Sequence, residues 1–158
     1  MKHQLDTKDL AILEILQKDS TISVKEIGER VGLSFTPTYE RIKNLEKDNV
    51  ITKYVALVDR FKIGIQIVVY CNVTLKEQSK AALDSFEGTI TAIPEVQEVI
   101  SLSGNYDYML KIIAEDIKSY NNFVVNVISN IPNIGQYHSS IVLNEAKKET
   151  AYILPKID

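Results

Sequence analysis

"GLSFTPTYERIKNLEKDNVI", residues Gly32 to Ile51, opens with a turn residue and short hydroxyl side chains and closes near an asparagine. Ser34 or Thr36 can cap a helix here, and Pro37 is tolerated because first-turn amides have no intrahelical partner. Thr38, Ile42 and Leu45 recur at the spacing of one helical face. Thr36, Tyr39, Glu40, Arg41, Lys43 and Lys47 occupy much of the rest. Asn49 stands where a helix often ends in a left-handed residue, which Asn or Gly accepts. The stretch reads as a short amphipathic helix whose outer side carries hydroxyls and positive charge.

Upstream, two more helices are legible. "LDTKDLAILEILQKD" places Leu10, Leu13 and Leu16 on one face with Ile12 and Ile15 flanking, and Asp6 as a cap with Asp9 in the first turn. "ISVKEIGERVG" offers Ser23 and Glu26 in the Ser-x-x-Glu capping pattern, Ile27 and Val31 one turn apart, and Gly32 as a stop. Downstream, "VITKYVALVD" alternates and is β-branched, as a short strand pair would be. Two helices joined by a short glycine turn, the second with an exposed basic and hydroxyl-rich side, form the pattern of a helix-turn-helix. In that arrangement the second helix enters the DNA major groove. Ser34 and Thr36 would donate to phosphate at the positive end of the helix, and Tyr39 would meet phosphate or sugar. Arg41 would neutralise phosphate or grip guanine, with Lys43 and Lys47 as point charges beside it. Phe35 is unusual so near a helix start, where it packs inward or touches a thymine methyl. The plainer reading is a helix with an outer side charged for solubility, and Glu40 and Glu46 dilute its field.

Beyond Phe61 the period changes. "IQIVVYCNVTL" is a strand with Ile67, Val69, Cys71, Val73 and Leu75 on one side. "KEQSKAALDSFEGTITAI" is helical at first, with Leu83, Phe86 and Ile90 inward. "VQEVISLSG" and "YDYMLKIIAE" are strands around a tight Gly104-Asn105 turn. "DIKSYNNFVVNVISNI" is a helix capped by Asp116 with Tyr120, Phe123, Val127 and Ile131 inward, and "GQYHSSIVLNEA" is a last strand. The order βαββαβ is that of a ferredoxin-like split unit. The fold class is α+β, divided into residues 1–51, a joining strand at 52–65, and residues 66–158. A sheet covered by helices on one side leaves the other bare. The alternation assigns Val68, Tyr70, Tyr108, Leu110 and Ile112 to that bare side, a surface apolar enough to require another subunit.

Charge narrows the partners. The net charge of −3 comes entirely from residues 61–158, since residues 1–60 hold ten basic and ten acidic side chains. Nucleic-acid contact would rest on the placement of a few cations rather than on the overall field. No apolar run approaches the ~20 residues of a membrane span, and "MKHQLDTKDL" lacks a signal peptide's apolar core. The expected setting is cytoplasmic. Cys71, the single cysteine, cannot close an internal disulfide and reads as a small buried hydrophobe. The two histidines, His3 and His138, form no catalytic or metal-binding spacing, and no phosphate-binding or zinc motif is present. No enzyme, metal or cofactor is expected.

The segment from Leu5 to Asp59 resembles the N-terminal half of the Lrp/AsnC family of transcription factors. The resemblance rests on Leu5-Asp6, Asp9 with Ile12-Leu13, Val31-Gly32-Leu33-Ser34, Arg41-Ile42 with Leu45-Glu46, and Ile51. "SGNYDYMLKI" is similar to the family's Gly-x-Tyr-Asp-Tyr loop, and Gly64 to the glycine closing its linker. Asn49 replaces the family's common glycine before the wing. What the resemblance implies is a winged helix-turn-helix followed by a regulatory domain. Such chains pair through the sheet, assemble into dimers, tetramers or octamers, and often sense an amino acid near the Gly-x-Tyr-Asp loop. The implied DNA-binding residues are Ser34, Thr36, Thr38, Tyr39, Arg41, Lys43 and Lys47, and the implied effector residues are Gly104, Asn105, Tyr106 and Asp107. In that loop Gly104 gives backbone freedom, while Asp107 would hold an α-ammonium or merely start its strand. The alternative is an amino-acid-binding subunit that acts on protein partners and leaves DNA untouched.

Overall fold

The first helix, α1 (Thr7–Lys18), starts where Asp6 can cap it. The Asp6 carboxylate accepts from the Lys8 and Asp9 amides, and the Asp9 carboxylate returns to the Asp6 amide at 3.1 Å. The computed structural model that shows this describes residues 5–155, so His3 lies outside the described residues. Helix α2 (Val24–Val31) is capped by the Ser23 hydroxyl, which accepts from the Glu26 amide at 3.2 Å. The reciprocal half of that box is replaced, because Glu26 pairs with Arg30 at 2.6 Å. Gly32, at φ 69°, ends α2 in the left-handed region, and Asn49, at φ 56°, does the same beyond α3 (Phe35–Lys47). Both stops lie where the sequence puts them.

The chain divides into two compact units: residues up to Leu57 together with those from Lys147 onward, and Val58–Ala146. This departs from the expected boundary, which left the C-terminal segment with the second domain. Leu154 packs against the helical core, and the Tyr152 amide donates to the Gln17 side chain at 2.7 Å. The helical core is built from Leu10, Ile12, Leu13, Ile27, Val31, Ile42 and Leu45. Ile12, expected on the flank, is fully buried. Each such side chain contributes about 1.5–3 kcal/mol over its exposed state.

The strand pair expected in "VITKYVALVD" does not form. Residues 52–59 carry no ladder, and Tyr54, Val55, Leu57 and Val58 are exposed. Alternation equips a segment for pairing but supplies no partner, and a single strand has no hydrogen-bond ladder to hold it.

In the second unit, β1 (Ile67–Leu75), α4 (Lys80–Ile90), β2 (Val96–Ser101), β3 (Tyr108–Ala114), α5 (Ile117–Asn126) and β4 (Ile134–Ile141) follow in the βαββαβ order. The four strands lie side by side as β2-β3-β1-β4, every pair antiparallel. Phe86 and Ile90 from α4 and Tyr120 and Phe123 from α5 cover one side, meeting Val69, Cys71, Val73 and Leu75.

On β3 the expected facing is reversed. Tyr108, Leu110 and Ile112 pair with Val73, Cys71 and Val69, so all three belong to the helix-covered core. The other side instead carries Val68, Tyr70 and Asn72 from β1, opposite Ile113, Lys111 and Met109 from β3; Val68 is buried there and the rest are half-buried. It is more polar than expected: Lys111 pairs with Glu98 at 2.6 Å, and His138 lies opposite Asn72. Strand β3 is apolar at both parities, so alternation alone could not fix its register.

Candidate nucleic-acid interface and ligand loop

Helices α2 and α3 approach closely because Gly28 has no side chain. A Cβ built there would lie 2.7 Å from the Leu33 carbonyl oxygen and 2.9 Å from Thr38 Oγ1. Thr38 is fully buried and its hydroxyl donates to the Ser34 carbonyl at 2.8 Å. It closes the turn between the helices and is withdrawn as a DNA contact. The Lys8 ammonium reaches the Val31 carbonyl at 2.5 Å, so the first turn of α1 also closes the C-terminal end of α2.

Arg41, too, departs from the position expected of it. Its Nη1 lies 2.7 Å from Asp6 Oδ2 and 2.7 Å from Asp9 Oδ1, and only 30% of its side chain is exposed. The hydrogen bonds it donates to the Asp9 and then the Asp6 carboxylate raise its pKa above the ordinary guanidinium value. This guanidinium ties α3 to the start of α1 and is not free for phosphate or guanine. Asp6 is held below the usual carboxylate range, first by the Asp9 amide and also by Arg41.

The remaining predicted residues do face outward. Ser34 is the cap residue of α3, and its side chain makes no capping hydrogen bond, leaving an exposed hydroxyl at the helix's positive end. Thr36, Tyr39, Lys43 and Lys47 are exposed. Lys43 is bound to Glu46 at 2.6 Å and sits 5.7 Å from the Tyr39 ring centre. Glu46 also accepts from the Tyr54 hydroxyl at 3.0 Å, and burial together with that carboxylate pushes the phenol up to about 12. Phe35, 57% exposed, stacks on Tyr39 with ring centres 6.2 Å apart and planes 8° apart. Phe35 therefore does not pack inward.

In the second unit the Gly104-Asn105 turn is wider than expected: six residues, 102–107, join β2 to β3, with Gly104 at φ 127°. The Leu102 amide bonds the Asp107 carbonyl at 2.9 Å, and the Asp107 amide bonds the Val73 carbonyl at 2.9 Å. Both Asp107 carboxylate oxygens are engaged, one by the Leu75 amide and one by Gln78 Nε2, each at 2.7 Å. Asp107 thus holds the loop onto the end of β1. Gly104 and Asn105 are exposed, and Tyr106 sits edge-on to His138 at 5.6 Å. Sequence reasoning missed Lys8, Gly28 and Gln78, whose partners lie on other elements. It also missed Asn133, whose φ of 70° was signalled only by residue type. Among the described residues, no group of three or more His, Cys, Asp or Glu is placed to hold a metal, and no helix is long and apolar enough to cross a membrane.

A helix pair closed on a glycine, with the outer side of its second helix uncovered, and a separate βαββαβ sheet unit define a DNA-binding regulator with a ligand domain. Residues 5–52 match the family model for winged helix-turn-helix DNA-binding, and residues 68–152 match that for the Lrp/AsnC ligand binding domain. The chain belongs to the Lrp/AsnC family of transcriptional regulators. It is 37% identical over 144 residues to the transcriptional regulator AzlB of Bacillus subtilis, covering 91% of this chain and 92% of that protein. Among solved structures, an AsnC family transcriptional regulator from Agrobacterium tumefaciens is 34% identical with a TM-score of 0.89, covering 94% of this chain and 97% of that one. A Neisseria meningitidis transcriptional regulator, solved as its L-Met complex, is 29% identical with a TM-score of 0.90, covering 95% and 97%.

Proposed function

We propose that this regulator binds duplex DNA through the outer side of α3, using Ser34, Thr36, Tyr39, Lys43 and Lys47, as a cytoplasmic homo-oligomer tuned by an amino acid. The observation that carries the reading is the uncovered outer side of α3, with the Ser34 hydroxyl uncommitted at its N-terminal end. Backbone amides and a free hydroxyl at a positive helix terminus suit phosphate, and the helix beyond it suits the major groove.

A second copy of the chain covers the side of the sheet away from the helices, where the half-buried Tyr70, Met109 and Ile113 are the apolar centre and Lys111, Glu98 and His138 the polar surround. Pairing sets two α3 helices one DNA turn or a multiple apart. The 102–107 loop, with Gly104, Asn105 and Tyr106, is the effector site, and Asp107 fixes its shape. The L-Met complex of the Neisseria relative supports an amino acid as effector. Binding between assembled copies shifts DNA affinity by favouring one assembly over another.

The experiment is a DNA-binding titration at several salt concentrations, with scattering-based mass measured with and without a panel of amino acids. A steep fall of affinity with salt and a mass change with one amino acid are expected. Salt-insensitive or absent DNA binding, with an amino acid still bound, would make the protein an adaptor acting on other proteins.

A further inference from the structure

Of the cations on α3, Arg41 is turned to Asp6 and Asp9, and Lys43 is held by Glu46. The guanine-reading guanidinium anticipated from sequence is therefore not on offer. What the helix presents at its start is an aromatic side chain. Phe35, its first residue, is 57% exposed, and Tyr39, one turn on, is 45% exposed.

These rings are held in place. Phe35 lies parallel to Tyr39, the Lys43 ammonium sits over the Tyr39 ring, and Glu46 anchors Lys43. Positions 35, 39 and 43 are successive i, i+4 neighbours, so one row of contacts fixes the Phe35 ring from behind and leaves its far face and edge open. An apolar group already fixed before binding gives up little side-chain freedom on contact.

Among the groups displayed in the major groove, thymine's C5-methyl is the one apolar mark, and the first residues of a recognition helix are those that reach base edges. We propose that Phe35 is a specificity residue that reads a thymine methyl in each half-site, with Tyr39 and Lys43 as positioning residues behind it. The inference rests on the reading of α3 as the DNA-contacting helix.

The test begins with duplexes selected from a random pool by the wild-type protein, in which each thymine is then replaced singly by deoxyuracil. Removing the methyl at one position per half-site should weaken wild-type binding about three- to tenfold. Phe35→Ala should bind the thymine duplex as weakly as the wild type binds the uracil one, and should not distinguish the two. Phe35→Leu, which keeps an apolar tip, should recover part of the discrimination. The side chain is exposed, so these variants should fold, and light scattering should give an unchanged mass. Equal wild-type affinity for both duplexes, or discrimination surviving in Phe35→Ala, overturns the assignment while leaving DNA binding intact. A mass change in Phe35→Ala would assign the ring to contact between protein copies instead. Failure of the wild type to bind any duplex overturns the DNA reading itself, and this inference with it.

Discussion

Arg41 turns away from the outer side of its own helix and grips Asp9. Its Nη1 stands 2.7 Å from Oδ1 of a carboxylate that is 1% exposed. A charge buried that deeply depends on its partners, and removing one member of a buried ion pair costs about 3–5 kcal/mol, toward the low end where, as at Asp9, the Asp6 amide still donates to the carboxylate. Arg41→Met should therefore lower the stability of the helical unit by about 3 kcal/mol, read by denaturant unfolding. In conditions where the variant is folded, the slope of log affinity against log salt should match the wild type. A phosphate contact at Arg41 would instead reduce that slope by about 0.9.

Local chemistry was legible in the sequence, and distant pairing was not. The Asp6, Ser23 and Asp116 caps and the Gly32 and Asn49 stops involve neighbours a few residues apart, so residue type and spacing were enough. Arg41 looked like a surface cation because its acceptors are 32 and 35 residues away. Strand β3 carries apolar side chains at both parities, Met109 and Ile113 as well as Leu110 and Ile112, and only pairing with β1 decides which side is covered. The alternation in residues 50–59 encodes a capacity to pair without naming a partner. Of the candidate interface, the outward residues of α3 followed from helical period. The family resemblance counts Thr38 with the DNA contacts, although its period already places it on the face of Ile42 and Leu45, where it is buried.

Gly28 tests the closeness of α2 and α3. Alanine favours a helix interior by up to about 1 kcal/mol over glycine. Here the added methyl meets the Leu33 carbonyl oxygen at 2.7 Å, an atom of the backbone that cannot swing aside. Overpacking of this kind costs about 1–3 kcal/mol, so the clash should win. Gly28→Ala should lower the thermal midpoint and weaken DNA binding together, whereas Gly88→Ala, where nothing lies within 4 Å, should not destabilise.

Asp107 supports the 102–107 loop from below. Removing its carboxylate leaves the Leu75 amide without its acceptor and frees Gln78. Asp107→Ala should cost the sheet unit about 1.5–3 kcal/mol, the range for a hydrogen bond to a charged group. Hydrogen exchange should speed up at the Leu75 amide, and any amino-acid-induced thermal shift should be lost as the loop loosens. Gln78→Ala removes one exposed contact only and should preserve that shift. If Asp107→Ala leaves the Leu75 amide protected, the anchoring role is wrong.

Tyr108 gives the sheet unit an alkaline limit. It is 2% exposed, packs tilted against Phe86 with ring centres 4.9 Å apart, and donates its hydroxyl proton to Glu87 at 2.7 Å. Burial first, and the Glu87 carboxylate second, push the phenol up to about 12 from an ordinary 10.0. The folded state thus favours the neutral phenol, and the associated stability is fully present below pH 10 and lost as pH rises through about 12. Tyr108→Phe keeps the ring but removes the proton donor, so near neutral pH it should be less stable by about 1–2 kcal/mol. That gap between variant and wild type should shrink as pH is raised from 10 toward 12, because the wild type must then give up the buried proton and the variant has none to lose. Denaturant unfolding of both proteins across this range measures the difference directly, with the other tyrosines cancelling. A gap that stays constant with pH would mean that the hydroxyl's contribution does not depend on its protonation.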